Sequence, residues 1–260
     1  MLVTQRNTVD SVTTNNKGLR QKEKFMLDIK NLTKIYGDKK AVDDLTLHIA
    51  PGEICGFIGH NGAGKTTTLK SVAGILQFDE GEITIGGRSV KTEPLECKRQ
   101  IAYIPDNPDI YEFMTGIQYL NFIADIFGIN DTERRERIEK YAKLFELTDD
   151  LTAAVASYSH GMKQKLAIIS AWIHNPKLII MDEPFVGLDP KAAHLLKEMM
   201  KEACSEGCAI FFSTHVLEVA EKLCDKVAVI KGGRLIRSGS MEEVKGDDSL
   251  EAVFLELEAE

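Results

Sequence analysis

The stretch that most restricts this chain is GHNGAGKT, Gly59 to Thr66. It follows an apolar run, ICGFI, and leads into KTTTLKSVAGI, a helix by its residues. A glycine-rich turn with a lysine, set between a strand and a helix, cradles a phosphate. Its glycines allow positive φ and a close approach of backbone to anion. The turn's amides and the helix N-terminus supply partial positive charge. On this reading Gly59, His60, Asn61, Gly62, Ala63 and Gly64 form the cradle. Lys65 brings a point charge to the β/γ-phosphates, the Thr66 hydroxyl reaches Mg²⁺, and Thr67 completes the first helical turn.

A second stretch, LIIMDE, complements the first. Four apolar residues from Leu178 form a buried strand that delivers Asp182 and Glu183 at its C-terminal end. Ligands of open parallel sheets sit at that end. Two adjacent buried carboxylates are costly unless a cation and phosphate chemistry use them. Asp182 is expected to bind Mg²⁺, directly or through water, and Glu183 to orient and polarise an attacking water.

The rest of the chain fits an α/β organisation. Its 260 residues allow a sizeable core, and 43% hydrophobic with 28% charged is an ordinary globular balance. A net charge of -8 argues against nucleic acid as the main ligand. No apolar run approaches the roughly 18 residues that cross a bilayer, and the N-terminus lacks the apolar stretch of a secretory signal. Work at a membrane is therefore expected to go through a partner. Five scattered cysteines without a C-x-x-C pair point to a reducing compartment, with Cys55 as a small core residue.

Residues 1–25 are polar and read as a flexible tail. FMLDIKNL, LTLHIA, EICGFIG and the hairpin-like GEITIGGRSV make the first hundred residues strand-rich. From about 110 to 170 a helical lobe is expected, with one helix capped by Thr115 and running through Phe127, a second in DTERRERIEKYAKLFEL and a third after Gly161. Apolar strands then alternate with helices, which predicts a parallel sheet covered on both faces. Ser240 and Glu243 fit a capping box, and a last helix falls within 246–260.

Residues 26–245 resemble the nucleotide-binding domain of ATP-binding cassette (ABC) transporters. Tyr36, 23 residues before Gly59, matches the aromatic on which adenine stacks; by its residue type alone it is equally a turn or core tyrosine. SYSHGMKQK, Ser157 to Lys165, aligns with the family signature LSGGQ followed by basic-Gln-basic. Ser159 and Gly161 keep the family's Ser and second Gly, while Tyr158, His160 and Met162 replace Leu, Gly and Gln. On its own residues Ser159 caps a helix; the resemblance adds an anion site at that helix N-terminus. VGLD, Val186 to Asp189, resembles the loop that contacts an opposite protomer, and His215 the switch histidine that senses the γ-phosphate. Asp106 stands where many members have Gln, within reach of Mg²⁺ or the water.

The resemblance implies an α/β P-loop NTPase fold: a RecA-like core, an antiparallel β-subdomain and an α-helical subdomain. It implies an ATPase using ATP and Mg²⁺. Two subunits, as a homodimer or heterodimer, would join one chain's Lys65, Thr66, Asp182 and Glu183 to the other's Ser159 and Gly161. An integral membrane permease would hold the subunit on the cytoplasmic face of the cell membrane, and the tail SLEAVFLELEAE resembles exporter-type bacterial cassettes. The rival class is a soluble ABC ATPase acting on DNA or ribosomes. Such relatives carry coiled-coil or zinc-bearing insertions or a second cassette, and this chain shows one cassette. A third reading, a gated interaction module that barely hydrolyses, sits poorly with an intact Glu183.

Overall fold

The computed structural model describes residues 25–108 and 110–259. The polar stretch expected to be a tail lies, but for Phe25, outside the described residues. Among those described, the strands are β1 (Leu27–Tyr36), β2 (Lys39–Ile49), β3 (Ile54–Ile58), β4 (Glu80–Ile85), β5 (Arg88–Ser89), β6 (Ile101–Ile104), β7 (Leu178–Asp182), β8 (Ala209–Thr214), β9 (Lys226–Lys231) and β10 (Arg234–Ser240). The helices are α1 (Lys65–Val72), α2 (Pro94–Lys98), α3 (Gly116–Ile126), α4 (Asp131–Leu144), α5 (His160–Trp172), α6 (Pro190–Ser205), α7 (Leu217–Leu223), α8 (Met241–Lys245) and α9 (Leu250–Ala259).

Two sheets result. An antiparallel one runs β2-β1-β4-β5, and a larger one runs β10-β9-β3-β8-β7-β6. Within the larger sheet β9, β3, β8, β7 and β6 are mutually parallel, and β10 pairs antiparallel at the edge. The central strands are apolar at nearly every position because both faces are covered. Side-chain alternation still sorts their residues. Ile54 and Ile58 of β3, with Ile210 and Phe212 of β8, join a cluster under the helices α3 to α6. Cys55 and Phe57, with Phe211, join the cluster shared with α1 and the antiparallel sheet. The protein is thus an α/β fold with a helical layer, a parallel core and an antiparallel β-layer.

Local signals explain the helix ends. The Thr115 hydroxyl accepts from Gln118 N while Gln118 Oε1 accepts from Thr115 N, which closes a capping box at α3. Ser240 and Glu243 close the expected box at α8. The helices α3, α4 and α5 occupy the chain between β6 and β7. Three elements escape the sequence reading: β6, α2 and β10. The strand β10 is mostly exposed, so its RLIRSGS carries little of the apolar alternation that marks a strand. All five cysteines are free and buried, and burial pushes the Cys204 and Cys208 thiols up to about 12.

Phe57 is fully buried in the strand that carries the phosphate loop, 5.2 Å from the Phe211 ring. Phe57→Ala is expected to cost about 3–5 kcal/mol, read as a lowered urea midpoint. A midpoint within error of wild type would contradict this packing.

Candidate active site

The parallel register gathers the chemistry at one edge. Ile58 pairs with Thr214, Asp182 with Ser213 and Ile104 with Met181. The turn after β3, the acids ending β7, His215 after β8 and Asp106 after β6 therefore lie at the C-terminal ends of adjacent strands.

Two strands crowd the loop backbone at Gly59 and Gly64. A Cβ on Gly59 would stand 2.4 Å from the Ile230 carbonyl, and one on Gly64, at φ +112°, 2.5 Å from the Ala41 carbonyl. Gly233 N donates to the Ala63 carbonyl at 2.9 Å, so the β9–β10 turn braces the loop from behind. Lys65 is 6% exposed. Its Nζ donates to the Gly59 carbonyl at 2.6 Å and the His60 carbonyl at 3.3 Å. Burial lowers its pKa, and Glu183 and Asp182 work against that shift.

Asp182 is 1% exposed and accepts two short bonds. Thr66 Oγ1 donates to its Oδ2 at 2.6 Å, and Ser213 Oγ donates to its Oδ1 at 2.5 Å. The same Ser213 hydroxyl accepts from Glu183 N at 3.0 Å. Glu183 holds φ +46°, a conformation rare outside glycine, and the bond to Ser213 pins it there. Its Oε1 is buried, accepts no hydrogen bond among the described residues and lies 3.8 Å from Lys65 Nζ. Its Oε2 faces His215 Nδ1 at 3.0 Å.

These groups border a cleft of about 280 Å³. Tyr36, His60, Asn61, Gly62, Gly64, Lys65, Thr66, Thr67, Asp106, Asp182 and Glu183 line it, joined by Lys39 and Ala41, which the sequence reading did not single out. Tyr36 is half exposed at the end of β1. Gly59 and Ala63 form the buried back of the loop. The His60 ring meets Phe254 of α9 edge-on at 5.1 Å. Asp106 is exposed and accepts from Asn107 N at 2.8 Å. Thr66, Asp182 and Asp106 offer the oxygen donors that a hard cation takes, though the described residues hold no cluster of three or more His, Cys, Asp or Glu able to hold a metal.

Ser159 and Gly161 stand apart from this cleft. Ser159 caps α5 by accepting from Met162 N at 3.2 Å. Gly161 faces the loop 184–189, where its Cβ would stand 3.0 Å from the Gly187 carbonyl. Asp189, last of VGLD, caps α6 by accepting from Ala192 N at 2.8 Å. Ser213 is the functional candidate that sequence reasoning missed. Its only trace in the sequence is that AIFFST turns from apolar to polar at Ser213 and Thr214, which does not point to Asp182.

A phosphate loop and two acids on the C-terminal edge of a parallel sheet define a P-loop NTPase. The family model described as ABC transporter matches residues 42–186, more than half of the chain. The chain is 35% identical over 219 residues to Nod factor export ATP-binding protein I of Cupriavidus metallidurans, covering 84% of this chain and 72% of that protein. A solved ATP-binding subunit of an ABC transporter superposes with TM-score 0.87 at 36% identity, over 90% of this chain and 99% of that one. The ATP-binding cassette MJ0796, solved as a dimer in a post-hydrolysis state with ADP and Pi, gives TM-score 0.74 at 25% identity, over 83% and 99% of the chains. This chain belongs to the ABC transporter family, as an ATP-binding, ATP-hydrolysing subunit.

Ser213→Ala removes a buried donor to Asp182 and the acceptor for Glu183 N. Turnover is expected to fall at least about tenfold with the KM for ATP within about threefold. Steady-state ATPase kinetics check this, and unchanged kcat would show that the two acids hold their places without Ser213.

Proposed function

We propose that this subunit uses ATP binding and hydrolysis to drive export of a substrate through a separate integral membrane permease. The observation that carries the chemistry is the Glu183 carboxylate: one oxygen held by His215, the other buried, unbonded and beside Lys65. In this reading Tyr36 stacks on adenine, and the amides from Gly59 to Gly64 cradle the phosphates with Lys65. The Thr67 backbone closes the cradle. Thr66 and Asp182, with Asp106 at the rim, hold Mg²⁺. Bound there, Mg²⁺ neutralises charge on the β- and γ-phosphates. Glu183 accepts a hydrogen bond from the attacking water and aims its oxygen at the γ-phosphorus, while the bond to the bridging β–γ oxygen breaks. His215 fixes the Glu183 side chain and senses the γ-phosphate.

Ser159 and Gly161 take the γ-phosphate of a second subunit, through backbone amides at the N-terminus of α5. The dimeric arrangement of the relative MJ0796 supports such a pairing. Closure on ATP and opening after hydrolysis form a switch driven by the different affinities of the two states for ATP and ADP. Among the described residues no helix is long and apolar enough to cross a membrane, and in this reading passage belongs to a partner. The subunit sits on the cytoplasmic face of the cell membrane through that permease. The direction, export, draws on the relative whose name carries it.

Glu183→Gln is expected to lower kcat at least about 100-fold while ATP still binds. Gel filtration with ATP should then show a stable pair. Wild-type turnover in that variant removes Glu183 from the chemistry. Lys65→Ala should weaken ATP binding by about 2 kcal/mol, measured by calorimetry; unchanged affinity counts against the cradle. Purification of the native protein from solubilised membranes should bring a polytopic membrane protein with it, and its consistent absence refutes the transporter role.

A further inference from the structure

The loop that follows Glu183, residues 184–189, lies along the first two turns of α5. Three side chains of α5 hold it. The His160 imidazole stands directly over Gly187: a Cβ there would be 2.4 Å from Cδ2 and 2.8 Å from Nε2 of the ring. Gln164, fully buried, donates from Nε2 to the Pro184 carbonyl at 3.3 Å. Lys165 Nζ pairs with Asp189 at 2.8 Å. His160 and Gln164 are four residues apart and share one helix face with Gly161 and Lys165. Gly161 lets that face come close to the Gly187 carbonyl. Gly187 itself holds φ +80°, so the position demands glycine by conformation, and a Cβ there would have to push the His160 ring aside.

Both ends of the clamped loop reach functional elements. Pro184 follows Glu183 directly, and Asp189 caps α6. His160 lies outside the cleft and has no part in the chemistry described above. Its exposed ring contributes little to the core, so its place over Gly187 invites a role other than packing.

We propose that His160 is a positioning residue that holds Gly187 against α5 and thereby sets the backbone of Glu183 relative to the N-terminus of that helix. The inference rests on the reading of Glu183 as the group that handles water and of the α5 N-terminus as a phosphate site. A phosphate engaging α5 then shifts Glu183 in the same chain through a continuous set of contacts: His160 on Gly187, Gln164 on Pro184, Lys165 on Asp189. Coupling between two sites runs through contiguous contacts that take two discrete arrangements.

The test is a double-mutant cycle on the full chain, with ATPase kinetics and thermal unfolding. His160→Ala is expected to lower kcat about fivefold, leaving the KM for ATP and the unfolding temperature near wild type. His160→Gln, which keeps a planar group over Gly187, should stay within about twofold. Gly187→Ala should lose about thirtyfold as the methyl drives ring and loop apart. The double variant should recover only the part of that loss the ring causes, because the methyl takes space the ring has left while alanine stays strained at φ +80°. Losses that multiply in the double variant overturn the clamp, as does an unchanged kcat in His160→Ala. If Gly187→Ala does not fold, the contrast between Ala and Gln at 160 decides: equal rates overturn the proposal. His160→Ala at wild-type rate with Glu183→Gln inactive removes the clamp alone. Glu183→Gln at wild-type rate removes the reading beneath it.

Discussion

Asp182 is a carboxylate held almost out of water by two hydroxyls, from Thr66 and Ser213. A buried carboxylate without such partners costs several kcal/mol. Its two bonds therefore require three elements to meet: the end of β7, the first turn of α1 and the end of β8. That meeting fixes the edge of the sheet. Ser213 passes the constraint to the backbone of Glu183 and holds it at positive φ. The next residues of β8 lead to His215, which takes the Glu183 side chain. Glu183 is thus gripped twice by one strand, once through its amide and once through its carboxylate. Lys65, curled under the phosphate loop, closes the ring of charge from the other side.

Much of this was legible in the chain. The phosphate loop declares itself because only glycine tolerates its φ angles and its closeness to the Ala41 and Ile230 carbonyls. The acids declare themselves because an apolar run that ends in two carboxylates has few other uses. The central strands were visible as apolar runs, and the parallel sheet followed from their alternation with helices. Thr115 and Ser240 were readable as caps because their partners lie three residues on.

What stayed hidden depends on distance in sequence. Ser213 meets Asp182 across 31 residues, and nothing local to a serine in a strand announces that bond. Lys39 and Ala41 reach the cleft only because β2 crosses the phosphate loop. The His160 ring found its reason only with Gly187 in place, because the contact joins the first turn of α5 to the loop beyond β7. The strand β10 was hidden for the opposite cause: it is an exposed edge with too little apolar patterning to show.

The arrangement also fits the proposal that one chain is half of a working site. Ser159 and Gly161, at the N-terminus of α5, are not among the residues that line the cleft of Lys65, Thr66, Asp182 and Glu183. On that proposal a γ-phosphate held by one chain meets those amides on another. The most direct test mixes two inactive chains, Lys65→Ala, which keeps α5 intact, and Ser159→Asp, which keeps the α5 cap and the Gly161 contact but sets a negative charge where the partner's γ-phosphate would sit. The account predicts that the mixture hydrolyses ATP well above either variant alone, because one composite site per mixed pair has both halves whole. A mixture as inactive as its components, under conditions where mixed pairs form, would contradict it.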